Sequence, residues 1–519
     1  MAHEWLNTAL FYEIYPQSFK DTNADGIGDL QGIIEKLDYI KELGCNAIWL
    51  NPCFDSPFVD AGYDVRDYYK IAPRYGTNED MRRLAKEVHN RGMHIILDLV
   101  PGHSSTECDW FIQSSKPEKN KYSNRYIWTD SVFNAPTNIG SIRGWLRGGY
   151  DRDGSCALNF FTAQVALNYG FARLDEGCDW QQSINDEGPM ATRQEIKNIM
   201  AFWLGMGVDG FRVDMAASLV KNDEDHKGTI EVWQDITDYI KKEFPEAVLV
   251  SEWGDPAQAL KAGFDMDFLL HFGPSHYPDL FRTEKPYFAS KGEGNLDIFW
   301  ENYLNNRETT QDSGGMISLI SGNHDMDRIA RTLTIDELRI AFAFLLSMPG
   351  VPFIYYGDEL GMREVDVPHS IEGGYFRTGA RSPMQWDTTT NAGFSSARKE
   401  DLYIMIDETG YRTINVASEM GDESSLYHEV KNLIDLRKTH TALNNRAELT
   451  MLEYTDYPLI YERKSDNETI LVIINPANRE YHTSINTEGS IIYSCLDKEL
   501  KKEASETIIP GCRALFIQK

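Results

Sequence analysis

Between Leu10 and Glu252 the apolar and polar positions repeat one unit: an amphipathic helix, a glycine or proline stop, a short apolar run, and polar residues where that run ends. This alternation predicts a parallel sheet wrapped by helices. In the first unit Leu30, Ile33, Ile34, Leu37 and Ile40 fall at helical spacing, Gly44 ends the pattern, and residues 47–50 follow as a strand. In the second, Asn78 is placed to cap a helix that buries Met81, Leu84, Ala85 and Val88, Gly92 stops it, and residues 95–99 are the strand. Helices over 195–206 and 230–244 precede strands at 210–214 and 248–252; residues 11–15, 264–268, 317–320 and 351–356 complete a set of eight.

Eight such strands predict an α/β fold, a closed (β/α)8 TIM barrel rather than an open doubly wound sheet. Ionisable residues stand at the far ends of many different strands, which in a barrel form the working face. An open sheet gathers its ligand groups at one switch point, and no GxGxxG loop follows the first strand. Residues 103–178, rich in Ser, Asn, Asp, Gly and Trp, are too long for an ordinary connection. They predict a small inserted domain dividing the barrel into 1–102 and 179–440. After a helix over 425–438, short alternating strands at 459–463, 470–474 and 491–494 predict a terminal antiparallel β-sandwich over 441–519.

Charge narrows the partners. The 519 residues carry 51 Lys and Arg against 80 Asp and Glu, a net charge of −29, the opposite of the basic footprint that grips nucleic acid. Anionic lipid is excluded on the same ground, and a neutral or cationic small molecule is expected. The seven cysteines show neither CxxC nor zinc-ligand spacing and are expected to be reduced packing residues. No stretch approaches the length needed to span a bilayer and residues 1–15 lack the pattern of a secretory leader, so a cytoplasmic protein is expected.

Three acids end apolar runs: Asp214, Glu252, and Asp325 in Asn323-His324-Asp325. A strand interior cannot solvate an unpaired carboxylate, so an acid at the strand end places its charge in the mouth of the barrel. Several carboxylates there suit sugar chemistry, because breaking a glycosidic bond takes one protonated acid for the leaving oxygen and one ionised carboxylate facing the sugar ring. Arg212, two residues before Asp214, points to the same side of its strand and is expected to hold Asp214 ionised. Glu252 has no adjacent cation in sequence and is expected to keep a raised pKa as proton donor.

These residues sit within motifs spread along the chain: Phe11-Tyr12-Glu13-Ile14-Tyr15-Pro16, Gly62-Tyr63-Asp64-Val65, Asp98-Leu99-Val100 with His103, Gly210 to Asp214, Glu252, Asn323-His324-Asp325, and Gly350-Val351-Pro352 through Tyr356-Gly357-Asp358-Glu359. Together they resemble the α-amylase superfamily of retaining glycoside hydrolases. The resemblance implies Asp214 as nucleophile, Glu252 as general acid/base and Asp325 as the residue that binds sugar hydroxyls. It places Tyr63, Asp64, His103, Arg212 and His324 around the nonreducing-side glucose. The segment from Arg377 to Asp387, followed by Asn391-Ala392-Gly393-Phe394, resembles exo-acting α-glucosidases and oligo-1,6-glucosidases, with Arg377 or Arg381 reaching the first sugar. Met215-Ala216-Ala217-Ser218 lacks the Lys-His pair of typical α-amylases, and Met215, the residue after the nucleophile, leaves α-1,4 against α-1,6 preference open. Transglycosylation or isomerisation of disaccharides is the rival outcome of the same intermediate; a noncatalytic scaffold is disfavoured because all three acids are kept. Trp49, Tyr63, Phe161, Trp253 and Tyr356 near strand ends are candidates to stack on pyranose faces.

Asp21, Asn23, Asp25, Ile27 and Asp29 space oxygen ligands at alternate positions around the Gly26 turn, as a hard cation requires. A structural Ca²⁺ or Mg²⁺ is expected there, as in the oligo-1,6-glucosidases that the chain resembles, and no organic cofactor. Gly102 and Ala166 stand where the amylase pattern has Asn and Asp, oxygen ligands of a calcium between barrel and inserted domain. No metal is expected at that interface, and the seating of the inserted domain is left open.

Overall fold

The computed structural model describes residues 3–137, 139–140, 142–270, 273–367, 372, 377–496, 500–503 and 506–519. Eight parallel strands close a barrel in chain order: β1 (Phe11–Ile14), β2 (Ala47–Leu50), β3 (His94–Leu99), β4 (Gly210–Val213), β5 (Val248–Ser251), β6 (Met266–Phe268), β7 (Met316–Ile320) and β8 (Val351–Tyr355), which returns to pair with β1. β1, β2, β4, β5, β6, β7 and β8 are buried throughout, the run of apolar residues that a parallel sheet covered on both sides demands. Register carries the chemistry: Arg212 on β4 pairs with Asp98 on β3 and with Val250 on β5. One step further along, Asp214 N donates to the Leu99 carbonyl and Glu252 N to the Val213 carbonyl, so both acids leave their strands in register.

The first helix, α1 (Leu30–Leu43), starts at Asp29, whose carboxylate accepts from Gly32 N, and stops at Gly44 in the left-handed region (φ 108°). The second, α2 (Asn78–Asn90), corrects the sequence reading. Its cap is Thr77, which forms a capping box with Asp80. Asn78 instead ties the helix start to the preceding strand, accepting from Ile71 N and donating to the Tyr69 carbonyl. The helix read as 195–206 begins two turns earlier, at Glu187.

Between β3 and β4 lies a four-stranded antiparallel sheet in the order His103–Ser105, Gln164–Ala166, Ser155–Leu158, Gly144–Arg147. Its seating follows from the two unusual residues. Gly102 leaves room for Asn159, whose Nδ2 would lie 2.8 Å from a Cβ at that position and hydrogen-bonds the His103 ring. Ala166 pairs directly with His103. At the C-terminus a five-stranded antiparallel sheet and a three-stranded one enclose Ile460, Leu471, Ile473, Ile509, Leu515 and Ile517. Arg437, on the helix Leu426–Thr439, ties this end of the chain to the barrel by donating to the carbonyls of Leu346, Met348 and Gly350. Five of the seven cysteines are buried, Cys45, Cys53, Cys108, Cys156 and Cys495. Among the described residues no helix is long and apolar enough to cross a membrane.

Candidate active site

Trp49, Phe268 and Phe353 pack ring against ring inside the barrel and floor the mouth; the Arg212 guanidinium rests over Trp49 at 5.1 Å. Trp49 and Tyr356, read as possible sugar platforms, are therefore buried packing residues with essentially no exposure, outside the lining of the cavity. Above the floor opens a cavity of about 320 Å³ whose lining includes Asp214, Glu252, Asp325, Tyr63, His103 and Phe161. Arg212 binds three carboxylates at once: Asp98 Oδ1 at 2.8 Å, Asp214 Oδ1 at 3.0 Å and Glu252 Oε1 at 2.7 Å. The expectation that Glu252 stands clear of any cation is thus corrected: β4 and β5 are neighbours, and the guanidinium reaches across them. Glu252 Oε2 also accepts from Met215 N at 3.0 Å. Burial, followed by the Glu252 charge, raises the Asp214 pKa well above the ordinary value, and the opposing pull of Arg212 does not outweigh them. Burial likewise pushes Asp98 up to about 6.

The histidines build the walls. His324 is fully buried, its Nε2 2.5 Å from the Tyr63 hydroxyl and its Nδ1 beside Asn51 and Glu13 at 3.0 and 2.9 Å. Desolvation lowers its pKa well below the usual value, so the ring is neutral. His103, lowered by burial to about 4, is neutral too and sits between the Tyr63 carbonyl and Asn159. Tyr63 hydrogen-bonds Asp98 and stacks on His324, which fixes its ring at the cavity edge.

Asp325 Oδ1 receives Arg377 Nη1 at 2.6 Å and Arg381 Nη2 at 3.0 Å. Arg377 lines the cavity, whereas Arg381 lies behind it, donating to the His324 carbonyl and to Glu372. Asp64 is not brought to the cavity. Its carboxylate accepts from Ser56 Oγ, Val59 N and Asp60 N and holds the turn after β2. The acid that this turn delivers is Asp60, 3.5 Å from Arg377 Nη2. Sequence reading missed it because an acid within a loop carries no periodic signal. The inserted stretch adds Arg143, Phe160 and Gln164, the last donating to Asp60 at 2.8 Å. Phe161 is 39 % exposed at the same rim, and Met215, in the left-handed region at φ 44°, lines the cavity instead of filling the core.

In the loop before α1, Asp21 accepts from the N–H groups of Asn23, Ala24 and Gly26 and from Ser395 Oγ. Asn23 and Asp25 each accept from the N–H two residues on, and Asp29 binds Thr22 as well as capping α1. The donors are all hard oxygens, the kind that calcium and magnesium take. They are wound by hydrogen bonds within the chain, and among the described residues no three His, Cys, Asp or Glu side chains converge as a ready metal cluster.

A (β/α)8 barrel that gathers three carboxylates and a buried arginine at the C-terminal ends of its strands has the make-up of a glycoside hydrolase. Residues 13–446 match the model of the α-amylase catalytic domain, and the chain belongs to that family of glycoside hydrolases. It is 31% identical over 547 aligned residues to an oligo-1,6-glucosidase of Heyndrickxia coagulans, covering 91% of this chain and 92% of that protein. A glucan 1,6-alpha-glucosidase of Streptococcus pneumoniae is 30% identical, with 98% and 97% covered. Among solved structures, that of the trehalulose synthase MutB superposes with a TM-score of 0.83 at 25% identity over the whole of both chains.

Proposed function

We propose that the protein is a retaining exo-α-glucosidase that releases glucose from the nonreducing end of short α-1,4- or α-1,6-linked oligosaccharides. The observation that carries this reading is the pairing of Asp214 and Glu252 on one guanidinium, facing a cavity in which Arg377 bridges Asp60 and Asp325. We read that bridge as an obstacle to a polymer running through that leaves room for a chain end. Asp214 attacks the anomeric carbon while Glu252 protonates the departing oxygen; Glu252 then takes a proton from water, which displaces Asp214 with net retention. Asp325, Asp60 and Arg377 hold sugar hydroxyls, and the neutral rings of His103 and His324 keep the pocket shaped without adding charge. The test is the product formed from maltose, isomaltose, sucrose and trehalose. Glucose should appear first as the α-anomer from at least one of them; exclusive conversion to a rearranged disaccharide would favour the isomerase reading that the full-length likeness to the trehalulose synthase supports.

We also propose that Asp21, Asn23, Asp25, the Ile27 carbonyl and Asp29 bind Ca²⁺ or Mg²⁺, the cation displacing some of the N–H groups that these oxygens now accept. A chelator should then lower the unfolding midpoint by roughly 3–6 °C, with recovery on adding back the ion. Superimposable melting curves with and without chelator would remove the metal.

A further inference from the structure

A second cavity, about 460 Å³, opens on the inserted part of the chain, with a wall of different chemistry. Five cations line it: Lys116, Lys119, Lys121, Arg125 and Arg152. Two acids, Asp153 and Glu187, share the lining with them, and Glu195 stands 3.9 Å from Arg125, in a chain whose net charge is −29. Such a concentration runs against the field of the whole protein.

The two arginines are held in place. Arg125 lies over Trp110 at 5.0 Å and Arg152 over Trp128 at 4.8 Å, so each guanidinium is fixed by an aromatic face. Arg152 Nη1 spends its protons on the Ser114 and Ser123 carbonyls. Arg125 is different: it is 8 % exposed, its Nε and Nη1 are buried without a hydrogen-bond partner, and its nearest carboxylate oxygen, on Glu195, is 3.9 Å from Nη2. A buried guanidinium with unmet donors is costly, and an oxyanion in the cavity that accepts from its Nε–Nη2 edge, whose N–H bonds run side by side, lowers that cost. The helix Glu187–Gly205 begins at the same wall with no side chain capping its first turn, adding the positive end of its dipole.

We propose that this cavity binds a phosphate-bearing small molecule, with Arg125 as the central contact and Lys119 and Lys121 closing over it. The site shares no lining residue with the catalytic cavity. A cavity of this size on a strongly acidic protein suits a free phosphate ester or diphosphate and not a nucleic acid.

The experiment titrates the intact protein with inorganic phosphate, pyrophosphate and a hexose monophosphate at constant ionic strength, read by calorimetry and by the unfolding midpoint. At least one should bind saturably and raise the midpoint, and the tightest identifies the form of phosphate. Arg125→Gln should weaken that binding at least tenfold while leaving hydrolysis of an aryl α-glucoside, measured without added phosphate, at the wild-type rate. If Arg125→Gln does not fold, Lys119→Gln with Lys121→Gln, both exposed, should weaken binding several-fold. Chloride reproducing the effect, or full phosphate affinity in either variant, would overturn the proposal.

Discussion

Asp214→Asn is expected to lower kcat by at least about 10⁴-fold on every α-glucoside, because an amide cannot form the glucosyl ester on which both half-reactions depend. The same change should leave the fold intact. Asp214 is buried with its pKa raised by desolvation and by Glu252, so its ionised form is disfavoured in the folded state. The sign follows: a carboxyl whose folded pKa lies above its unfolded value contributes stability that is present in full below the unfolded pKa and lost as pH rises through the folded one. At neutral pH the neutral amide therefore removes a cost, and the variant should unfold at or above the wild-type temperature. Arg212 keeps Asp98 and Glu252 as partners in the variant. Attack requires the ionised form, so the wild-type rate should fall as pH drops through the raised Asp214 pKa, placing the acid limb above the ordinary carboxylate range. Activity within tenfold of wild type in a folded variant would take the nucleophile away from Asp214.

The barrel was legible in the chain because each strand is a short apolar run ended by a charged or polar residue, and each helix a periodic stripe ended by glycine or proline. Asp214, Glu252 and Asp325 were legible for the same reason: a strand's last residue has a definite place in the mouth. The residues that escaped are those whose position depends on tertiary contact. Asp60 enters through a turn that Asp64 organises, so the acid that looked functional is structural and its neighbour faces the cavity. Arg212 serves Glu252 as well as Asp214 because β4 and β5 lie side by side, a relation invisible along one strand. Thr77 outcompetes Asn78 as a cap since Asp80 completes the box, while Asn78 is taken by the strand before it.

Glu252→Gln should separate substrates by their leaving groups. General acid catalysis contributes about 10²- to 10⁴-fold, and only where the departing oxygen needs a proton. Maltose and isomaltose, with basic sugar alkoxides to expel, should lose about 10³-fold in kcat/KM. A dinitrophenyl glucoside, whose phenolate leaves unaided, should lose less than about tenfold in the same parameter. The amide oxygen of the variant can still accept from Met215 N, but the charge of Glu252 is gone, and that charge is the largest electrostatic cause of the raised Asp214 pKa, second only to burial. The acid limb for the dinitrophenyl substrate should therefore move to lower pH in the variant, a displacement that a merely misfolded site would not produce. The shift of the limb measures how strongly the Glu252 charge acts on Asp214. Equal losses on both kinds of substrate would take the acid role from Glu252, and an unmoved limb would mean that the two carboxylates do not share the field that Arg212 gathers.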